Sequence, residues 1–149
     1  MLSNTADYAL RAILVLAHHH GGRPVRAEEI ADATGAPRNY LAKTLNALAK
    51  AGIVDSTRGP AGGFCLAVAP ERLTLARVVD LFDAPRAHTC CMLGDGPCDP
   101  RQPCAVHHRW AAVTTARRAP LVETTVADLL GTPAAEPRAV LVLEVDSAA

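Results

Sequence analysis

The chain has 149 residues, half of them apolar and 3% aromatic, and its 15 basic and 15 acidic side chains balance to zero. That length gives one domain, or a small domain with an appendage, with a core packed by Leu, Val and Ala. The longest apolar stretch, Ala12 to Ala17, is far too short to span a bilayer, and with Asp7 and Arg11 preceding any apolar run no signal peptide is visible; a cytoplasmic protein is expected.

Asn4 to Ala17 has the spacing of an amphipathic helix, with Ser3 or Asn4 as cap and Tyr8, Leu10, Ile13, Leu14, Leu16 and Ala17 forming the apolar stripe. His18-His19-His20 runs into Gly21-Gly22. Successive side chains on a helix diverge, so the three histidines read as a solvated helix end beside the negative pole of the dipole. Arg23-Pro24-Val25 is an extended entry. Ala27 to Thr34 is a short helix closed by Gly35, with Ile30 and Ala31 inward. Pro37 opens a further helix, Arg38 to Ala51, stopped by Gly52 and buried through Leu41, Leu45, Leu48 and Ala49. Two short helices joined through T-G-A-P form a helix-turn-helix, whose second member enters the major groove. Its outward face carries Arg38, Asn39, Lys43 and Asn46, with Tyr40 at its start.

Ile53 to Thr57 and Phe64 to Val68 read as strands around the turn Arg58-Gly59-Pro60-Ala61-Gly62-Gly63. This hairpin makes the unit a winged helix. Its tip is basic and nearly bare, so Arg58 and the backbone at Gly59, Pro60 and Gly62 can approach phosphates closely. The charge is unevenly placed: residues 1–67 hold seven basic and five acidic side chains (+2), residues 68–149 eight and ten (−2). Within 37–63, Arg38, Lys43, Lys50 and Arg58 face only Asp55. A local basic patch on a neutral protein suits DNA.

Thr74 to Asp83 is an amphipathic helix with Leu75, Val78, Val79 and Phe82 inward, ended by Pro85. Four of the five cysteines then fall in CCMLGDGPCDPRQPCAVHHRW, Cys90 to Trp110. A loop this rich in Gly and Pro buries no core, and the spacing Cys91-x6-Cys98-x5-Cys104-x2-His107 suggests a metal centre. In a reducing cytoplasm, clustered cysteines argue for metal or redox chemistry and against disulfides. From Pro103 the pattern is helical again, with Val106, Trp110 and Val113 on one face; Pro120 interrupts it, and Thr124 to Leu130 completes it. A small winged helix has little room for this extra apolar helix, and pairing with a twin buries it. The stretch 137–149, with Val140 to Leu143 apolar, is a short strand or a tail without a functional reading.

Several of these segments resemble the IscR/NsrR superfamily of bacterial transcription regulators: ADYALRAILVLA, NYLAKTLNALAKAGIV, RGPAGGF, LARVVDLFD, the cysteine loop ending in CAVHHRW, and TTVADLL. The resemblance covers roughly residues 1 to 131. It implies a mainly α fold, a winged helix-turn-helix with a small β-hairpin wing plus a long C-terminal dimerisation helix. The expected partition is a DNA-binding domain over 1–70, a cluster-binding loop with dimerisation helices over 71–131, and a tail over 132–149. The implied protein is a homodimer on double-stranded operator DNA, its affinity controlled by an iron–sulfur cluster that answers to redox stress, iron–sulfur supply or nitric oxide.

IscR-like members hold a [2Fe–2S] cluster through three Cys and a His, matched here by Cys91, Cys98, Cys104 and His107. NsrR-like members hold a [4Fe–4S] cluster through three Cys and an Asp on the first helix of the partner, matched by Asp7. The gap between the first two ligands is one residue longer than in typical IscR if Cys91 is used. The [2Fe–2S] reading is favoured, because a helix opening at His107 places it on the side of Cys104. Two alternatives keep the winged helix. Three Cys and one His also form a zinc set, although gaps of six and five are unlike the usual paired knuckles. Oxidation of Cys90, Cys91, Cys98 or Cys104 could switch the protein without metal. Cys65 reads as a small buried hydrophobe. No phosphate loop or nucleophile–base motif is present, and no enzyme is expected.

Overall fold

The computed structural model describes residues 2–83, 99 and 101–131. Helix α1, Asn4–His18, begins where the Ser3 hydroxyl accepts the Ala6 N–H. Helices α2, Ala27–Thr34, and α3, Arg38–Lys50, follow, joined across Gly35 at φ 68°. Thr34 knits that turn: its buried hydroxyl donates to the Ile30 carbonyl at 2.7 Å and accepts the Ala36 N–H at 3.4 Å. Strands β1, Val54–Thr57, and β2, Gly63–Leu66, pair antiparallel, with Val54 opposite Leu66 and Thr57 opposite Gly63. A 3-10 turn at Pro70–Arg72 leads to α4, Leu75–Val79; after the cysteine segment come α5, His107–Glu123, and α6, Val126–Leu130. This is a winged helix, as the sequence led us to expect.

The core gathers Ala9, Ala12, Ile13 and Leu16 of α1 with Ile30, Leu41, Leu45, Leu48, Ile53, Val54, Leu73, Val78 and Val126. The buried face of α1 is rotated from the expected stripe. Ala6, Ala9 and Ala12 are fully buried, whereas Tyr8, Leu10 and Leu14 are only partly so. A bulky stripe would hold neighbouring helices off; alanines let them close in.

Several boundaries differ from expectation. Helix α4 stops at Val79, and the chain continues to Asp83 as turns, with the Asp80 and Asp83 amides still bonded to the Ala76 and Val79 carbonyls. Pro120 does not interrupt α5, which runs to Glu123. Proline removes one amide, and because Pro120 and Ala116 are solvent-exposed, the carbonyl it releases can be hydrated. The break comes at Thr124, and α6 starts afresh behind a capping box in which Thr125 and Asp128 satisfy each other's backbone amides. The 3-10 turn at Pro70–Arg72 was not anticipated. Cys90, Cys91, Cys98, the stop at Pro85 and the Val140–Leu143 stretch lie outside the described residues.

Backbone pairing stitches the last helix to the first half of the chain. The Val126 N–H donates to Leu73 at 2.8 Å and the Leu75 N–H to Thr124 at 3.0 Å, around a bridge between Thr74 and Thr125. Asp83 accepts the Ser3 N–H at 2.8 Å.

Leu45, with no exposed surface, is the keystone of the α3 contact; Leu45→Ala should cost about 2–5 kcal/mol in a denaturant titration. Acid should loosen the termini. The Ser3 side chain and N–H hold the Asp83 carboxyl below its ordinary value of 3.8, and the Thr125 N–H and hydroxyl do the same for Asp128. A depressed folded value stabilises above the ordinary one and is lost as pH falls through the folded one. Asp83→Asn with Asp128→Asn should therefore flatten the fall of the melting temperature below about pH 4.

Candidate nucleic-acid interface and cysteine segment

Helix α3 is divided cleanly by burial. Leu41, Thr44, Leu45 and Leu48 face the core, and the buried Thr44 hydroxyl is satisfied by the Tyr40 carbonyl at 3.1 Å. Arg38, Asn39, Lys43 and Asn46 are exposed together on the opposite side. Arg38 lies 3.5 Å from Asp32 of α2, an exposed pair that leaves the guanidinium accessible. Tyr40 is placed differently. Its ring meets that of Tyr8 edge-on at 5.9 Å, and its hydroxyl hydrogen-bonds Thr5, so the start of α3 rests on α1.

The wing projects beside α3. Gly59 has φ 111°, and the Gly62 N–H closes the turn on the Gly59 carbonyl at 2.9 Å. A Cβ on Gly62 would run into the Thr57 carbonyl, and one on Gly63 would stand 2.6 Å from the Val25 carbonyl oxygen. The glycines are thus demanded by close backbone approach, leaving Arg58 as the charged side chain of an otherwise bare tip. Val25 pairs with Phe64 through two backbone bonds of 2.9 and 2.8 Å, adding a third strand's contact beside the turn end of β2. Arg26 reaches the tip, its Nη2 donating to the Pro60 carbonyl at 2.5 Å. Nothing in the sequence pattern marked Arg26, because its partner lies 34 positions away.

At the other end of the molecule, Cys104 and His107 open α5. Both are half-buried, and the His107 N–H donates to the Cys104 carbonyl at 3.0 Å. The His107 and His108 rings stand edge to face at 5.4 Å. Among the described residues no group of three or more His, Cys, Asp or Glu is placed to hold a metal ion, since Cys91 and Cys98 lie outside them. The donor chemistry nevertheless fits a cluster. A thiolate and an imidazole fall three positions apart at the positive end of a 17-residue helix, where an anionic centre is favoured. Asp7 is half-buried on α1 and ion-paired with Arg11 at 2.9 Å. Cys65 sits half-buried on β2 opposite Asp55, away from any ligand set among the described residues.

Helix α5 buries none of its residues within the chain. Val113 is 57% and Val122 49% exposed. What fastens it is Arg118, whose two terminal nitrogens bond both Asp80 carboxylate oxygens at 2.6 and 2.5 Å, half-shielded from solvent. Arg118→Ala should detach α5 from α4 at a cost of about 1 kcal/mol or less in stability, seen as faster amide exchange confined to α5.

The profile of the Rrf2 family, described as iron-dependent transcriptional regulator, matches residues 2–132. An HTH-type transcriptional regulator of Aquifex aeolicus is 36% identical over 87% of this chain and 91% of its own length. IscR of Aliivibrio salmonicida is 32% identical over 73% of this chain and 64% of its own. Among solved structures, CymR, the global cysteine regulator of Bacillus subtilis, superposes with a TM-score of 0.74 at 26% identity, covering 87% of this chain and 95% of CymR. IscR of T. potens superposes at 0.70 and 26%, covering 87% and 85%.

Proposed function

This chain belongs to the Rrf2 family of transcriptional regulators, and we propose that it is a homodimeric repressor-type switch whose operator affinity is set by an iron–sulfur cluster. It is a DNA-binding regulator and not an enzyme. The observation that carries the finer reading is the Cys104–His107 pair at the mouth of a helix the chain itself leaves uncovered. The description of the family as iron-dependent and the IscR relatives support it.

In this reading Cys91, Cys98 and Cys104 supply thiolates, with His107 as fourth ligand of a [2Fe–2S] cluster or Asp7 of the partner copy as fourth ligand of a [4Fe–4S] cluster. The cluster, when bound, supplies a centre reactive towards oxidants and nitric oxide. Every other step belongs to the chain. A nitrogen or oxygen ligand makes one corner more labile than three thiolates would. Were His107 freed from such a centre, the first turn of α5 would loosen, and Arg118 bound to Asp80 would carry the change to α4. The face of α5 that carries the exposed Val113 is covered by a second copy, which spaces two recognition helices about one turn of DNA apart. Arg38, Asn39, Lys43 and the start of α3 at Tyr40 enter the major groove, while Arg58, Gly59, Pro60 and Gly62 meet the flanking backbone or minor groove. Residues 1–70 thus read DNA, 71–131 sense and dimerise, and 132–149 form a tail.

A second reading has its own support. The fold is also that of CymR, a global cysteine regulator, so a switch through oxidation of the clustered thiols is the runner-up.

Anaerobic purification with iron and sulfide counts separates these. About two irons per chain, lost in His107→Ala and Cys104→Ala but kept in Asp7→Ala, are expected; about four, lost in Asp7→Ala, would give the [4Fe–4S] form. A metal-free protein that binds DNA in a thiol-dependent way would replace the cluster by the thiol switch, and a zinc-loaded one by a structural site. For the interface, Arg58→Ala should weaken DNA binding and reduce the slope of log affinity against log salt by about 0.9. An unchanged slope removes Arg58 from the phosphate contacts.

A further inference from the structure

Helices usually begin on Ser, Thr, Asp or Asn, whose side-chain oxygen accepts a free amide of the first turn. Helix α2 begins on Arg26, which has no acceptor at all. The local amides make do with Glu29, whose carboxylate accepts the Arg26 N–H at 3.4 Å and is itself clamped by Arg23 at 3.1 and 3.2 Å. The Arg26 guanidinium is thereby released from any capping duty. It crosses to the Pro60 carbonyl at the wing tip, 2.5 Å away, over a cleft also lined by Ala27, Glu28, Gly59 and Gly62.

The tip needs such a tie. A two-stranded ribbon of four residues a side is marginal by itself. The Val25–Phe64 pair holds β2 just below the turn, but Arg58 to Gly62, with two glycines, lies beyond that pair. Among the described residues, no other side chain outside the hairpin is hydrogen-bonded to this tip. Glu29, which feels the charge of Arg26, offsets part of it, so Arg26 is a weaker phosphate contact than a lone guanidinium.

We infer that Arg26 is a positioning residue for DNA binding: it ties the wing tip to the start of α2, so that Arg58 is presented at a set angle to α3. The inference rests on the proposed role of Arg58 in the wing. A planar guanidinium suits the task, because it holds its direction to a carbonyl better than an ammonium on a flexible stem.

The test uses the full chain and a short duplex selected by the wild-type protein from a random-sequence library. Arg26→Ala should lower affinity about fivefold to tenfold, the equivalent of losing one ordinary solvent-exposed hydrogen bond. Its salt slope should match wild type, since no phosphate partner is removed. Arg26→Lys should recover part of the loss. Amide exchange at 58–63 should quicken in Arg26→Ala while α1 and α3 stay protected, and an unchanged melting temperature excludes global loosening. The deciding measurement is the double variant: in an Arg58→Ala background, Arg26→Ala should add nothing. Additive losses with a slope reduced by about 0.9 would make Arg26 a direct phosphate contact and overturn the inference. So would unchanged affinity in Arg26→Ala while Arg58→Ala weakens binding. If Arg58→Ala itself is silent, the wing reading fails first, and that result is separate.

Discussion

Close packing against the alanine face of α1 is the constraint on which the rest of the structure depends. Ala6, Ala9 and Ala12 present no bulk, so α2, α3, α4 and α6 can all reach the same short helix. That economy builds a core from Leu, Ile and Val with almost no aromatic help. It also determines what is left outside. Helix α5 buries none of its residues fully: it lies partly covered beside α4, tied by Arg118 to Asp80, with Val113 and Val122 in solvent. The division of labour between a packed reading head and an uncovered helix is thus a consequence of packing, before any regulatory argument.

Much of this was legible in the chain. Gly35 and Gly52, with φ of 68° and 65°, end helices where a glycine past an apolar stripe says they must. The outward face of α3 emerged from the spacing of Leu41, Leu45 and Leu48, and the wing from two alternating runs around a glycine-rich turn. What eluded sequence reasoning falls into two physical kinds. Periodicity assigns a face only to within a residue or so, and small side chains carry little weight in it; so the stripe on α1 was placed on Leu10 and Leu14 when alanines occupy the centre. Contacts between distant segments leave no local signature at all. Asp80 with Arg118, Ser3 with Asp83, and Arg26 with Pro60 each join positions that are dozens of residues apart. Pro120 misled for a third reason: an exposed proline costs a helix one bond that water can replace, and α5 has enough turns on both sides to persist.

The candidate site shows the same divide. Donor identities and their spacing could be read directly, because thiolate and imidazole chemistry is a property of residue type. Burial and orientation could not. The structure adds that Cys104 and His107 share the entry to α5, and that Tyr40 serves the internal contact with Tyr8 and Thr5 as well as any external one.

The backbone pairing of Leu73 to Leu75 with Thr124 to Val126 has a further meaning. The chain passes through the buried α4 and returns at Thr124 to Val126 beside Leu73 to Leu75, so the segment between has fixed ends. Closing such a segment depends only logarithmically on its length; doubling it costs about 0.6 kcal/mol. A residue gained or lost among the cysteines therefore leaves the reading head nearly untouched. The fold thus separates a packed body from an insert whose length, and with it the spacing of the cysteines, can change at little cost in stability.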